Sequence, residues 1–206
     1  MPIQIRTRVR QNGFTLVELI FTLVIFAILL AMAIPSFSGL IASSRLSGTT
    51  NDLLAALAQT RAEAIRRGQR VTLCASANGT QCSNAGDWNQ GWIIFTDGTP
   101  NVTASNATVD NNDAIIATSP ASNNDILIQG QLTAGQPAIV RYVSFASNGL
   151  SRTVGAASQI QGGIIQVCTT SSSVSNDTRA RNILINASGN VVMQAVPAIP
   201  INCPRP

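Results

Sequence analysis

The chain begins with a polar, basic stretch that changes abruptly into a continuous apolar run. Residues 1–13 contain three arginines and no acidic residue, and the run from Phe14 to Ile34 contains a single charge, Glu18. As a helix rising ~1.5 Å per residue, this run would be about 31 Å long, close to the thickness of a bilayer core. The pattern predicts a membrane-spanning helix over 14–34 whose basic flank, 1–13, faces the cytoplasm.

Three interpretations of the apolar run compete: a cleaved secretory signal, a plain membrane anchor, and an anchor in which the carboxylate has a role. A secretory signal has an apolar core of about 7–15 residues, so this run is too long for one. A plain anchor fits the length but does not explain Glu18. A charged side chain at the centre of a bilayer costs roughly 2.5–3.5 kcal/mol, and such groups usually have a function and a partner.

From Ser36 to Arg67 the apolar positions follow a helical period. Pro35 predicts a kink before this segment, and Gly68 predicts its C-terminal cap. The segment 35–68 is therefore expected to be the amphipathic half of one long helix, packed on a sheet. The stripe that recurs at three- and four-residue steps consists of Leu46, Thr50, Leu53, Leu54, Leu57, Arg61 and Ile65.

After Gly68 the pattern changes to short apolar segments separated by turns rich in Asn, Ser and Gly. Together with the helix, this pattern predicts an α+β protein with a β-rich domain over 69–206. The eight candidate strands are Arg70–Ser76, Trp92–Asp97, Ala114–Thr118, Asp125–Gln129, Ala138–Ala146, Gly163–Thr169, Ala180–Asn186 and Val191–Ala195.

Composition narrows the chemistry that the chain can perform. Its 206 residues include no His and no Lys, so all 13 basic residues are Arg. Triads and metal sites that need imidazole are excluded, as are Schiff bases and P-loop lysines. We expect no catalytic activity and no cofactor or metal. Removing residues 1–13 would leave 10 Arg against 9 acidic residues, so the net charge of +4 mainly reflects that basic flank.

The cysteines indicate disulfides, because an even number in an exported domain is typical of them. Three pairings are possible for Cys74, Cys82, Cys168 and Cys203. We favour Cys74–Cys82, which closes a short loop, and Cys168–Cys203, which would fasten the C-terminal tail. A metal site would need all four around one ion, and no C-x2-C pair is present.

Two other groups have a structural interpretation that we favour over a functional one. Trp88 and Trp92 flank Gly91 and could stack sugars or bases, but core packing is the commoner role. The acidic residues Asp97, Asp110, Asp113 and Asp125 could bind Ca²⁺, yet they lack EF-hand spacing and are expected in solvated loops.

The sequence Gly13-Phe14-Thr15-Leu16-Val17-Glu18-Leu19 resembles the class III signal of type IV pilins and type II secretion pseudopilins. The resemblance implies that a prepilin peptidase cuts between Gly13 and Phe14 and that Phe14 is then N-methylated. Glu18 would become the fifth residue of the mature chain. Pro35 would be residue 22, where this family commonly has a kinking proline. A Glu18 buried in a filament could pair with the N-terminal ammonium of a neighbouring subunit and set its register.

Three further stretches resemble the GspH/FimT/FimU group: 61–68, 71–74 and 88–97. The resemblance implies a type IV pilin-like fold and a minor pilin (FimT/FimU-like) that enters the type IV pilus or primes its assembly. The implied partners are the prepilin peptidase, other major and minor pilins, and the inner-membrane assembly platform. The protein would lie in the inner membrane before assembly and in the filament afterwards. A GspH-like minor pseudopilin of type II secretion and a DNA-binding minor pilin are the alternatives.

The DNA alternative depends on a basic cluster in the C-terminal domain. Arg179 and Arg181, with Arg152 or Arg205, could contact phosphates. In FimT-like pilins a G-R-x-R motif near the C-terminus binds DNA. Two stretches of this chain could correspond to the motif. Residues 178–181 keep both arginines but have Thr in place of Gly. Residues 189–192 keep the Gly but lack both arginines. We favour the second register and expect salt bridges or protection of a strand edge from the arginines.

Overall fold

The computed structural model describes residues 13–83, 88–98, 107–110, 112–131, 139–154, 158–194 and 203; for 32–36 and 131 only the backbone is described. The chain divides into two compact units, Met1–Ser38 and Gly39–Pro206. Most of the predicted leader, residues 1–12, lies outside the described residues.

One helix, α1, runs from Leu16 to Arg67. The Thr15 hydroxyl accepts a hydrogen bond from the backbone N–H of Glu18 (3.3 Å), which is the contact of an N-cap residue. Gly68 ends the helix with a φ of 65°, as predicted, because a left-handed conformation at this position favours glycine. The backbone is helical across Pro35, and the kink there stays a prediction.

The second half of α1 packs on the sheets through a buried stripe. Leu46, Leu53 and Leu57 have no exposed surface. The buried Thr50 hydroxyl donates to the Leu46 carbonyl at 2.6 Å, so it enters the core without losing a hydrogen bond. Near the end of the helix Ala64 is buried while Ile65 is 53% exposed. The sequence prediction that placed Ile65 in the stripe was therefore wrong, because Ala64 occupies the inward position there.

Eight strands follow within the described residues, and they form two antiparallel four-stranded sheets in the orders β3-β2-β1-β5 and β4-β6-β7-β8. Their bounds are β1 Val71–Ala75, β2 Trp92–Thr96, β3 Ile115–Ser119, β4 Ile126–Gln131, β5 Tyr142–Phe145, β6 Gly163–Thr169, β7 Ala180–Ile185 and β8 Val191–Gln194.

Each observed strand overlaps a predicted one, and the largest difference is at β5. The predicted strand 138–146 shortens to Tyr142–Phe145. Just before it, the Ile139 carbonyl lies so close to Gly130 of β4 that no Cβ would fit on Gly130. At Ile139 the chain therefore packs against β4 of the second sheet, and pairing with β1 of the first sheet begins only at Tyr142.

The two central strands of the first sheet, β1 and β2, are buried on both faces. Val71 and Leu73 face a core shared with α1 and the second sheet, whereas Cys74, Ile93 and Phe95 belong to a separate cluster on the opposite face. Strands covered on both sides read as continuous apolar runs. This explains why β1 and β2 are buried along their whole length.

Candidate assembly surface

The N-terminal part of α1 has an apolar surface that is open to its surroundings. Phe14 is 86% exposed, and the large apolar side chains from Leu16 to Leu30 are 48–73% exposed. Exposed apolar areas of this extent mark contacts with another protein or with lipid.

Within the residues whose side chains are described, no helix has both the length and the hydropathy that a membrane span requires.

Glu18 lies in the first turn of this apolar segment. It follows Phe14, the residue predicted to carry the new N-terminus, by four positions. Within the described residues, Glu18 makes no ion pair.

Arg61 connects α1 to turns of both sheets. Its Nε donates to the Gly149 carbonyl (3.1 Å), next to the end of β5. Its Nη1 and Nη2 donate to Asn190 Oδ1 (3.2 Å) and the Ser188 carbonyl (3.3 Å), in the turn between β7 and β8. The sequence placed Arg61 in the packing stripe and at the start of a family motif, but it gave no sign of these partners.

A groove beside Arg61 is lined mainly by apolar groups of α1 and β8. Ala58, Ala62 and Ile65 line the helix side. On the strand side Val192 is 45% exposed, and the next residue of β8, Met193, is 48% exposed. Within the described residues β8 is an edge strand, and it carries no charge that would discourage pairing or packing. This groove is a second candidate contact surface for another subunit.

The first predicted disulfide is confirmed. Cys74 in β1 and Cys82 are bonded, with an S–S distance of 2.06 Å. The second predicted disulfide is not formed in this structure: Cys168 and Cys203 are free thiols. The neighbouring Cys203 thiol nevertheless raises the pKa of Cys168, so the fold brings together the two residues that the sequence paired.

The tryptophans pack inside the domain. Trp88 has no exposed surface, and its indole N–H donates to the Val140 carbonyl at 2.9 Å. Trp92 is 5% exposed. Neither ring offers a face for stacking, so the interpretation as core residues is confirmed.

Three of the four acidic residues interact, because the charges of Asp113 and Asp110 help to raise the pKa of Asp97. Asp125 instead pairs with Arg45 (3.4 Å). Within the described part of the chain, no group of three or more potential ligands is arranged to hold a metal ion. Asp97 differs from the expected solvated residue, because it accepts a hydrogen bond from Thr72 in the interior (3.0 Å). Burial raises the pKa of Asp97 to about 6, although the Thr72 hydrogen bond and the Arg70 charge oppose the shift.

The candidate DNA-contacting arginines serve mainly internal contacts. Arg179 is 2% exposed, and its Nε and Nη2 donate to the Thr169 carbonyl at 3.2 and 2.9 Å. Arg181 and Arg152 are half-buried; Arg181 donates to backbone carbonyls of its own segment and Arg152 to the Ser158 carbonyl. Arg205 lies outside the described residues. The guanidinium of Arg179 has no surface to present to a phosphate.

A helix with an exposed apolar first half, packed through its second half on a β-rich domain, defines a pilin-like subunit. The chain matches the family described as "Type II transport protein GspH" over residues 49–189, which is 141 of its 206 residues. It also matches the "Prokaryotic N-terminal methylation motif" over residues 8–34. The chain belongs to the GspH family.

The fold is similar to two crystal structures of the type IV minor pilin FimU from Pseudomonas aeruginosa. Both are 16% identical in sequence to this chain. One covers 75% of this chain and 90% of its own with a TM-score of 0.49; the other covers 74% and 93% with a TM-score of 0.48. No curated protein matches the chain.

Family and motif together identify a minor type IV pilin or pseudopilin. Such proteins are structural subunits. The N-terminal motif implies processing by a peptidase and assembly with other pilins.

Proposed function

We propose that this protein is a FimT/FimU-like minor type IV pilin without catalytic activity. A prepilin peptidase cleaves it between Gly13 and Phe14, Phe14 is N-methylated, and the mature subunit enters the pilus or primes its assembly. Before assembly the apolar segment 14–34 anchors it in the inner membrane with residues 1–13 in the cytoplasm. Residues 69–206 form the periplasmic and later extracellular domain.

The observation that carries this proposal is the exposed apolar surface that starts directly after Gly13 and contains Glu18. Cleavage at Gly13 creates an ammonium group on Phe14, within an apolar surface that assembly must bury. A buried ammonium needs an anion, and an unpaired buried charge costs several kcal/mol. Glu18 of a neighbouring subunit supplies that anion at one axial position only, so the pair sets the register between subunits.

Processing is tested by mass spectrometry of the protein extracted from membranes. We expect a mature N-terminus at Phe14 carrying one methyl group. The matched control is a strain that lacks the prepilin peptidase, in which residues before Phe14 should remain attached. An intact leader in the strain that has the peptidase would refute the processing.

The register role is tested with Glu18→Ala, and Glu63→Ala serves as a control that removes a carboxylate from the domain end of the same helix. In the part of the chain that the structure describes, Glu63 pairs only with Arg66 and Arg67, within its own helix. We expect Glu18→Ala to reduce the amount of subunit recovered in sheared filaments while leaving the melting temperature of the extracted protein unchanged. Glu63→Ala should be incorporated normally. Equal incorporation of both variants would contradict the role of Glu18.

A type II secretion pseudopilin is the second candidate, because the matching family carries the name of a type II transport protein. The two functions predict opposite phenotypes for a deletion strain. A minor pilin is needed for surface pili, whereas a pseudopilin is needed for release of folded exoproteins. Loss of secretion with normal piliation would reject the minor-pilin assignment in favour of the pseudopilin.

A further inference from the structure

The two sheets end in four edge strands, and the chain itself closes two of them, β4 and β5. In β4 the N–H of Ile128 donates to Asn89 Oδ1 at 2.5 Å. In β5 the carbonyl of Ser144 accepts the N–H of Arg152 (2.9 Å), and the N–H of Ser144 donates to Gln161 Oε1 (2.9 Å). Edge groups that are bonded in this way are not available to a strand of another molecule.

The other two edges, β8 and β3, are open within the described residues. In the turn before β8 the N–H of Asn186 donates to the Asn190 carbonyl (2.9 Å). Because bonded and non-bonded pairs alternate in an antiparallel ladder, Val191 and Met193 direct their backbone groups away from β7. In the described part of the chain β3 pairs only with β2. Neither open strand contains a charged residue or a proline, which commonly protect exposed edges.

The two open edges lie on opposite flanks of α1. The groove beside Arg61 is bordered by α1 and β8. A second groove is bordered by α1 and β3, and its helix side consists of Asp52, Ala55, Ala56 and Gln59. At about 3.6 residues per turn, the helix residues of these two grooves lie roughly 120° to either side of the buried stripe. One copy therefore cannot bring its own open edges together, and each edge needs a strand from outside.

The open edges match each other in chemistry. β3 consists of Ile-Ile-Ala-Thr-Ser and β8 of Val-Val-Met-Gln, so both are uncharged and mainly apolar. Ile115 of β3 is 39% exposed and Met193 of β8 is 48% exposed. Pairing of the two strands would bond the free backbone groups and cover these side chains, and cross-strand aliphatic contacts stabilise a sheet.

Symmetry favours a contact between the two different edges. A contact of β8 with β8 around a two-fold axis closes a dimer and leaves both copies of β3 open. In its antiparallel form it also points the two α1 helices in opposite directions, which does not suit subunits inserted from one membrane. A contact of β8 with β3 uses both open edges and repeats from copy to copy, as the contact of a filament subunit must.

We propose that β8 of one copy pairs with β3 of a second copy, so that the sheets of neighbouring subunits join edge to edge beside α1. The inference rests on the proposed function, because it specifies how subunits of a filament contact each other through their β-rich domains. It is independent of the pair formed by Glu18 and the N-terminus of Phe14.

The test is photo-crosslinking in cells that make the full-length protein. One copy carries an affinity tag and p-benzoylphenylalanine in place of Met193, and a second, untagged copy is produced with it. We expect an adduct of the two copies in which the probe is joined to residues 115–119 of the untagged copy, as read by peptide mass spectrometry. The matched control carries the probe at the exposed Ser172, between β6 and β7, and should not label β3. A probe at Met193 that labels another protein, another segment or no second copy would overturn the proposal.

A change in the opposite strand shows whether β3 is the partner. Thr118 of β3 is exposed. Thr118→Lys in the untagged copy should lower the adduct yield at least about fivefold, because lysine on a strand edge opposes pairing and about 1 kcal/mol is a factor of about five. Thr118→Val adds no charge and should keep the yield. Equal yields from the two variants would overturn the proposal.

The proposed function is measured separately in the same cells, from the N-terminus at Phe14 and from the subunit recovered in sheared filaments. Normal processing and recovery without the β3 adduct would overturn the edge contact alone. An unprocessed chain that still forms the adduct would refute the proposed function and support the contact.

Discussion

At the scale of single residues, arginine does much of the internal fastening in this domain. Arg61 and Arg70 both donate to oxygens from distant parts of the chain. A planar guanidinium directs up to five N–H groups, so one side chain can hold several turns at once, which a lysine ammonium does less well. This use agrees with a chain that contains no lysine.

Arg61→Ala should destabilise the domain by about 2 kcal/mol, the usual effect of losing hydrogen bonds from a charged donor. The released acceptors are the carbonyls of Gly149 and Ser188. Urea unfolding at neutral pH measures the change. Arg66→Ala is the matched control: its Glu63 partner is on the same helix, and exposed pairs contribute little. Similar losses in the two variants would contradict the fastening role of Arg61.

Asp97 predicts how stability depends on pH. Its pKa is about 6 in the fold against an ordinary value of 3.8, so the folded state holds the proton more tightly. The stabilisation that the protonated Asp97 gives to the fold is therefore fully present below about pH 4 and is lost as the pH rises through 6. The loss is about 3 kcal/mol, from 1.36 kcal/mol per pKa unit.

Asp97→Asn should flatten this dependence and make the protein more stable than the wild type at pH 7.5. Urea unfolding between pH 4 and 8 tests it. The exposed Asp177, changed to Asn, serves as the control and should keep the wild-type slope. An unchanged slope in Asp97→Asn would show that another group governs the pH dependence.

At the scale of elements, periodicity was sufficient to locate α1 and the eight strands of the described residues. Strand ends and side-chain roles were harder, because long-range contacts determine them. The partners of Arg61 lie 88, 127 and 129 residues away in the sequence. The residues around Arg61 therefore do not predict these contacts. Ile65 fitted the helical repeat yet lies outside, because packing selected Ala64. The burial of Arg179 was equally invisible, because charge and strand alternation alone favour an exposed position.

Two glycines of α1 should respond oppositely to alanine. A Cβ on Gly39 would lie 2.8 Å from the Ser173 carbonyl oxygen, whereas a Cβ on Gly48 would meet nothing within 4 Å. Gly48→Ala should stabilise the domain by about 0.5–1 kcal/mol through helix propensity. Gly39→Ala should cost about 1–3 kcal/mol through overpacking against the loop.

Thermal or urea unfolding of the two variants measures these changes in stability. The two variants control for each other, because both replace glycine by alanine within α1. A stabilising Gly39→Ala would show that the approach of the Ser173 loop does not constrain the helix.

At the scale of the whole molecule, two disulfides would fasten different parts of the domain. Cys74–Cys82 closes a loop directly after β1, whereas Cys168–Cys203 would connect the end of the chain to the second sheet. Loop length and position favoured both pairs in the sequence, and the structure confirms the first of them. Cys168–Cys203 stays a prediction, because both residues are free thiols in this structure.

Closing the Cys168–Cys203 loop should stabilise the oxidised protein by roughly 4 kcal/mol in the chain-entropy model. The comparison is between the oxidised wild type and the Cys168→Ser/Cys203→Ser double variant, measured by guanidinium unfolding. Adding a reductant to both should remove most of the difference. Equal stability of the two oxidised proteins would mean that the tail is already held without the bond.

The buried stripe of α1 also has a mechanical consequence. Leu46, Leu53, Leu57 and Ala64 lie one after another along the helix axis, each packed into the same core. A force pulling on the backbone at Gly39, along that axis, loads these contacts together in shear rather than peeling them apart one at a time. The turns held by Arg61 lie near the far end of the stripe. The domain therefore resists having α1 pulled out of it most strongly when the force acts along the helix axis.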